Sequence, residues 1–167
     1  IGLLSAYNPS WGNKQLETMI IATSDPRIYN VNSENYLYGK LGTGRVDAFR
    51  SISTPLFPKI DVIAVDYQVI NGNSDNIIDA GETLNISTVI LNDPEWGEAI
   101  SPEISLNSLS NYISVTPSVQ NQTISNIIPG DVFINDSNPF EVYINEATPS
   151  GDYKFELSFL SNELSYT

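Results

Sequence analysis

The chain has 167 residues, enough for one domain or two small ones, and 41% hydrophobic with 10% aromatic residues suffice for a packed core. It contains no cysteine and no histidine, which excludes disulfide bonds, thiol catalysis and the usual general base for a serine nucleophile. No apolar run approaches the roughly 18 residues that a bilayer span needs, so no membrane span is expected.

The charge is distributed unevenly along the chain. Six of the seven basic residues lie in the first 59 positions beside four acids, whereas from Ile60 onward sixteen acids accompany one base, Lys154. This change predicts two units, residues 1–57 and residues 58–167. The acidic second unit would repel nucleic acid and anionic lipid, so neither is expected as a partner.

The first unit is predicted to be helical. In residues 13–23, Leu16, Met19 and Ile20 recur at the spacing of one helix face, and Pro26 lies where that helix should end. An earlier helix would end near Pro9, and residues 27–43 have the composition of a loop. A last short helix is predicted over residues 45–52, followed by a proline-containing linker. That helix would present Val46, Phe49 and Ile52 on one side.

From Lys59 onward the apolar residues recur with a period of two, which is typical of strands. Turn signals separate about seven short runs, and no helical pattern interrupts them. This arrangement predicts an all-β antiparallel sandwich of immunoglobulin-like size. The predicted strands are residues 60–70, 83–90, 100–106, 112–116, 122–128, 140–144 and 153–160.

One loop of the predicted sandwich has the spacing of a twelve-residue calcium-binding loop, residues 71–82. Its departures from that pattern are Asn71 where Asp is usual and Asn76 where Gly is usual. The alternative is an Asn/Asp-rich turn whose side chains bond to their own backbone. The candidate calcium ligands, at loop positions 1, 3, 5, 7, 9 and 12, are Asn71, Asn73, Asp75, the carbonyl of Ile77, Asp79 and Glu82.

Three segments of the first unit, taken in order, resemble a known protein family. They are residues 3–11, residues 13–24 ending in Ala-Thr-Ser, and residues 38–49, which read Tyr-Gly-Lys-Leu-Gly-Thr-Gly-Arg-Val-Asp-Ala-Phe. In this order they resemble the C-terminal part of the catalytic domain in the subtilisin family of serine proteases. The resemblance implies a mixed fold class, in which the end of a subtilisin-like α/β domain precedes the all-β sandwich.

The resemblance also implies a function for the parent protein. A subtilisin-like enzyme is a serine endopeptidase with a Ser-His-Asp triad, but no triad position falls within this chain, so the chain alone should be inactive. The nucleophile would lie just upstream of Ile1. The implied partner is the remainder of the catalytic domain, the implied substrate is protein or peptide, and the implied location is outside a bacterial cell.

Two alternatives remain open from the sequence. Residues 1–57 could be a small helical subdomain that decorates the sandwich, with no link to a protease. The sandwich could stabilise or space a catalytic domain, or it could be a non-catalytic binding or adhesion module attached to a protease remnant.

Overall fold

The computed structural model describes residues 1–73, 75, 77–161 and 164–166. The chain divides into two compact units, Ile1–Phe57 and Pro58–Thr167. Among the described residues, no helix combines the length and the apolar composition that crossing a membrane requires.

The first unit contains four short α-helices and one 3₁₀ turn. The hydroxyl of Thr23 donates to the carbonyl of Met19 (2.5 Å) where the second helix ends, and the Asp47 carboxylate accepts the Arg50 N–H (2.9 Å) where the last one begins. The last helix begins three residues later than predicted, because Arg45 instead forms a β-bridge with Asp25. The elements are α1 (Gly2–Tyr7), α2 (Asn13–Ala22), α3 (Ile28–Val31), the 3₁₀ turn (Asn35–Leu37) and α4 (Ala48–Ser53).

The second unit consists of two antiparallel sheets, which confirms the predicted antiparallel β-rich class. One sheet has the order β1-β2-β7-β4, with β6 also paired to β2, and the other has the order β5-β3-β8-β9. The strands are β1 (Ile60–Asn71), β2 (Thr83–Asn92), β3 (Glu103–Ser108), β4 (Ile113–Val115), β5 (Asn121–Thr123), β6 (Val132–Ile134), β7 (Phe140–Ile144), β8 (Phe155–Ser161) and β9 (Leu164–Tyr166).

Strand β2 shows why the second unit packs as a sandwich. Its residues alternate between buried and half-buried along all ten positions, so one face points into the core. The opposing sheet contributes the fully buried Ile104, and β7 contributes the fully buried Phe140 and Val142. The hydrophobic core is formed by Ile86, Ile90, Ala99, Ile104, Leu106, Ile113, Val115, Ile124, Ile127, Phe140, Val142 and Phe159.

Strand β1 is an edge strand that stays open to solvent. It pairs with β2 from Ile60↔Asn92 to Asn71↔Thr83, and its register shifts between Val62 and Ala64, as at a β-bulge. Val65 pairs with Thr88 and Tyr67 pairs with Ile86, so both lie on the core side, yet they are 62% and 53% exposed. The apolar side chains of Val65 and Tyr67 on this edge strand are therefore exposed to solvent and not covered by the core.

The prediction of seven strands without a helix was wrong in detail. The described residues contain nine strands, and a one-turn helix, α5 (Pro117–Gln120), begins with a proline, which suits a first helical turn. Strand β6 was not predicted, because its three residues are too few to show an alternating pattern. The predicted strand 122–128 is a strand only at its start, and Ile127 instead forms an isolated bridge with Ala99.

Buried polar side chains join the loops of the second unit to its sheets. The fully buried Asn92 donates from Nδ2 to the carbonyls of Gly97 (2.8 Å) and Ile127 (2.9 Å), and its Oδ1 accepts the Lys59 N–H (3.2 Å). Asn135 similarly accepts the Thr88 N–H at 2.6 Å. Within the described part of the chain, every buried side-chain nitrogen or oxygen has a hydrogen-bond partner.

Candidate functional site

An ion cluster around Asp25 fixes the end of α2 to the segment before α4. Asp25 is 7% exposed, and its carboxylate accepts hydrogen bonds from the Arg27 N–H (3.0 Å), Nε (2.9 Å) and Nη2 (3.0 Å) and from Arg45 Nη2 (3.0 Å). The hydrogen bonds and charge of Arg27, and then the hydrogen bond from Arg45, hold the pKa of Asp25 well below its usual range. The hydrogen bond to Asp25 and the negative charge of its carboxylate in turn raise the pKa of Arg27. The cluster therefore links the residues that follow α2 to the residues that precede α4.

The segment from Gly39 to Gly44 depends on glycine for its path. Gly39, Gly42 and Gly44 have φ of 74°, 66° and 145°, a region that side chains disfavour. The Tyr29 hydroxyl donates to the Gly42 carbonyl (2.6 Å) and accepts the Leu41 N–H (3.1 Å), which holds the segment in place. These are the three glycines on which the subtilisin resemblance relies.

Helix α4 buries Ser51 and exposes Phe49, while Arg50 is exposed and Ile52, predicted on the same side as Phe49, is half-buried. Ser51 is 2% exposed and its hydroxyl lies 2.6 Å from that of the fully buried Thr23, so a polar contact joins α4 to the end of α2. Phe49 is 81% exposed and Val46, just before the helix, is 63% exposed. Further exposed apolar side chains occur in and before α1. We name five of these residues, in and near α1 and α4, the exposed apolar set: Ile1, Leu3, Tyr7, Val46 and Phe49. Ile21, Val31, Tyr36 and Tyr38 are exposed as well, elsewhere in the first unit.

The candidate calcium loop follows β1 and is organised around Glu82. Glu82 is 4% exposed, and its two carboxylate oxygens accept the backbone N–H groups of Asn73 (3.1 Å) and Asp79 (3.0 Å). The Asn73 side-chain amide donates to the Asp79 carboxylate at 3.1 Å. The structure therefore brings Asn73, Asp79 and Glu82 together and ties them by hydrogen bonds within the loop.

The other predicted ligands lie further along the same loop. The Asp75 carboxylate accepts the Ile77 N–H (2.8 Å), and the Asp75 N–H donates to Asn73 Oδ1 (3.0 Å), as in successive Asx turns. Asn71 ends β1 opposite Thr83. Asn76, which departs from the calcium pattern, lies outside the described residues.

The loop contains the oxygen donors that a hard divalent cation prefers, but their present hydrogen bonds follow the turn alternative. Within the described residues, no three carboxylates are close enough together to hold a metal ion. Calcium would have to draw Asp75, Asp79 and Glu82 together and displace the Asn73 amide from Asp79. Calcium at this loop therefore stays a prediction.

Gly72 is needed for the conformation of this loop, although the spacing of its residues did not reveal it. A Cβ at Gly72 would overlap the Glu82 carboxylate and lie 2.5 Å from its Cδ atom. Only glycine leaves room for Glu82 to reach the two loop amides. The sequence signal for this close approach is the Asn-Gly pair directly after the predicted strand.

The chain offers no residues for the catalysis that its resemblance implies. With no histidine and no cysteine anywhere in the sequence, none of its serines has the usual base to activate it. No protein-family model matches the chain. No curated protein matches it either. Two candidate sites of the chain are the exposed apolar set of the first unit and residues 71–82 of the second.

Proposed function

We propose that this chain is the C-terminal portion of a secreted subtilisin-like serine endopeptidase. In this proposal residues 1–57 pack against the remainder of the catalytic domain, which supplies the Ser-His-Asp triad. The acidic, immunoglobulin-like sandwich stabilises or spaces the catalytic domain. The chain contributes no catalytic residue and has no peptidase activity of its own.

The orientation of α4 is the observation that carries the proposal. A surface helix normally turns its apolar side chains inward and its small polar ones outward. Here Ser51 is buried and Phe49 is 81% exposed, which is the reverse. Contiguous exposed apolar patches are typical of surfaces that another protein segment covers, and α1 and α4, which contact each other, both carry exposed apolar side chains. A catalytic body would cover Phe49 and Val46, together with the exposed residues of α1.

Two further features support the proposal. The glycines of residues 39–44 have the left-handed or extended positive-φ conformations that a Gly-x-Gly motif requires, so the resemblance rests on positions where glycine has a physical role. The second unit carries sixteen of the chain's twenty acidic residues, and such charge keeps an exported protein soluble without contributing to catalysis.

The proposal is tested first by the coding sequence immediately upstream of Ile1. We expect it to encode a Gly-Thr-Ser segment followed by a helix, with the histidine and aspartate of the triad further upstream. Co-expression of that upstream segment with this chain should then give a complex that cleaves casein. An upstream sequence without a serine nucleophile would overturn the proposal.

Matched substitutions test whether the exposed apolar set is the contact surface. Phe49→Asp should lower the casein-cleaving activity of the complex by about tenfold or more, since a buried carboxylate without a partner costs more than 1.4 kcal/mol. Leu109→Asp is the control, because Leu109 is also highly exposed but lies in the second unit. Equal losses for the two variants would contradict the assignment of the surface.

The alternative is that the sandwich is a binding or adhesion module, and a cavity at one end of it favours this reading. Deletion of residues 58–167 from the whole enzyme separates the two. A stabilising role predicts a lower Tm and an equal loss of activity on all substrates. A binding role predicts that only the cleavage of polymeric substrates is weakened.

A further inference from the structure

A cavity of about 460 Å³ opens at one end of the second unit. We name it the end cavity; residues 78–80 and residues 148–152 form its rim. Its volume lies within the range of small-molecule sites in proteins, about 300–1,000 Å³. Its walls are formed by Leu84, Ile113, Val142, Ile144, Tyr153 and Phe155.

The floor of the end cavity is rigid and apolar. Leu84, Ile113, Val142 and Ile144 are each less than one tenth exposed and come from β2, β4 and β7, so they are fixed by the ladders of one sheet. The more solvent-exposed part of the lining consists of Ile78, which is 42% exposed, and the half-buried Tyr153 and Phe155. An apolar ligand would cover these last three side chains.

Hydrogen bonds hold both sides of the rim. The Tyr153 hydroxyl donates to the carbonyl of Pro149 (2.5 Å), which closes the segment before β8 into a turn. On the other side, Glu82 holds the Asp79 N–H (3.0 Å), which fixes the segment that leads into β2. The cavity mouth is therefore set by local bonds in the unbound chain and does not need a ligand to form.

The charged side chains at the mouth of the end cavity are all acidic. The rim carries two exposed carboxylates, Asp79 and Asp152, and no lysine or arginine occurs among the described residues that line the cavity. The second unit also has sixteen acids and a single base from Ile60 onward. Such a field attracts cations and repels anions at an apolar opening.

We propose that the end cavity binds small organic amines whose body is apolar, such as an arylalkyl or alkyl ammonium ion. The apolar body would lie against Ile78, Tyr153 and Phe155, and the ammonium group would remain at the mouth beside Asp79 and Asp152. Burial of the body provides the affinity, and the two carboxylates provide selection for positive charge. This site does not depend on the proposed protease function.

The test is a titration of the full chain with phenethylamine, followed by amide NMR. We expect saturable shifts at residues 78–80 and 150–153, with millimolar affinity. The neutral analogue 2-phenylethanol should bind about fivefold more weakly, as two partly exposed ion pairs of about 0.5 kcal/mol each imply, and 3-phenylpropionate should not bind.

Two variants and a control complete the test. The double change Asp79→Asn and Asp152→Asn should weaken phenethylamine binding about fivefold and leave 2-phenylethanol binding unchanged. The control removes the same charge at two other exposed acids, Asp131→Asn and Asp136→Asn, and should change neither. Gly151→Trp, at a position where a Cβ meets nothing within 4 Å, should weaken both ligands by filling the mouth.

Three outcomes would overturn the proposal. One is the lack of saturable shifts at the rim, another is equal affinity for phenethylamine and 2-phenylethanol, and the third is an equal loss in the rim and control double variants. None of these outcomes bears on the upstream sequence or on casein cleavage, so the protease proposal stands or falls separately.

Discussion

The backbone of Gly44 lies directly against the backbone of Asp25. A Cβ at position 44 would be 2.5 Å from the Asp25 carbonyl oxygen and 2.7 Å from its carbonyl carbon. The two neighbouring chains are bonded in both directions here, by the Asp25 N–H to the Arg45 carbonyl (2.7 Å) and the Arg45 N–H to the Asp25 carbonyl (3.0 Å). The close contact therefore belongs to the Asp25 cluster, which links the residues that follow α2 to the residues that precede α4.

Gly44→Ala should destabilise the first unit by about 2–4 kcal/mol, because a methyl group meets rigid backbone and φ is 145°. The measurement is urea unfolding followed by Trp11 fluorescence in a Trp96→Phe background. Gly42→Ala is the graded control, since its φ is positive but its Cβ meets nothing, and it should cost about 1 kcal/mol. Gly2→Ala, in α1, should be neutral or slightly stabilising. Equal effects at Gly44 and Gly2 would contradict the role of the contact.

The Asp25 cluster should make the first unit sensitive to acid. The pKa of Asp25 is lower in the folded chain than in the unfolded one, so its contribution to stability is complete above the unfolded value of about 4 and is lost as the pH falls toward the folded value. We expect the difference in Tm between the parent chain and Asp25→Asn to shrink steadily below pH 4. The same-charge control is Glu17→Gln, at an exposed position of α2, whose Tm difference should stay small throughout. A Tm difference for Asp25→Asn that is independent of pH would contradict the assignment.

Glu82 should be a stability determinant of the second unit whether or not a cation binds. Glu82→Gln leaves a single acceptor oxygen for two loop amides, and an unpaired buried N–H costs about 1–3 kcal/mol. Gly72→Ala should have a similar effect, because its methyl group displaces the carboxylate. Urea unfolding followed by far-UV circular dichroism measures both. Gly151→Ala, in the rim loop, should be neutral, and a comparable loss in that control would show that the effect is not specific to Glu82.

Calcium tests the remaining hypothesis for residues 71–82. If the six predicted ligands close around Ca²⁺, the Tm of the second unit should rise by several degrees in millimolar calcium relative to chelator, since a ligand that binds only the folded state stabilises it by mass action. Asp75→Asn should remove most of the rise, while Asp131→Asn should leave it in place. An unchanged Tm would establish the loop as the hydrogen-bonded turn that its geometry already forms.

The sequence predicted well those elements in which one pattern runs for many residues. Strand β7 has the predicted bounds, β1 and β2 begin at the predicted residues, and α2 lies within the predicted helix. Strands β1 and β2 and helix α2 each have ten or more residues, long enough for the periodicity to decide between helix and strand. The three-residue strands β6 and β9 have no such periodicity, and their pairing depends on long-range contacts that composition does not reveal.

The site was less predictable than the fold, for a physical reason. The spacing of residues 71–82 correctly marked a segment rich in oxygen acceptors, but spacing cannot tell whether those acceptors face a cation or the backbone of their own loop. The deciding residues are Gly72 and the buried Glu82, and their contact depends on how the loop returns to β2. The end cavity was not predicted at all, because it arises where β2 and β4 begin and β7 ends.

The Asn92 side chain affects how the start of the second unit would respond to a pulling force. Its side chain connects the first paired residues of β1 with two separate loops, through Lys59, Gly97 and Ile127. Tension applied to the chain at Pro58 would first load the bond from the Lys59 N–H to Asn92 Oδ1. The two bonds from Asn92 Nδ2 would not need to break, so Asn92 would stay anchored to both loops while β1 separates from β2.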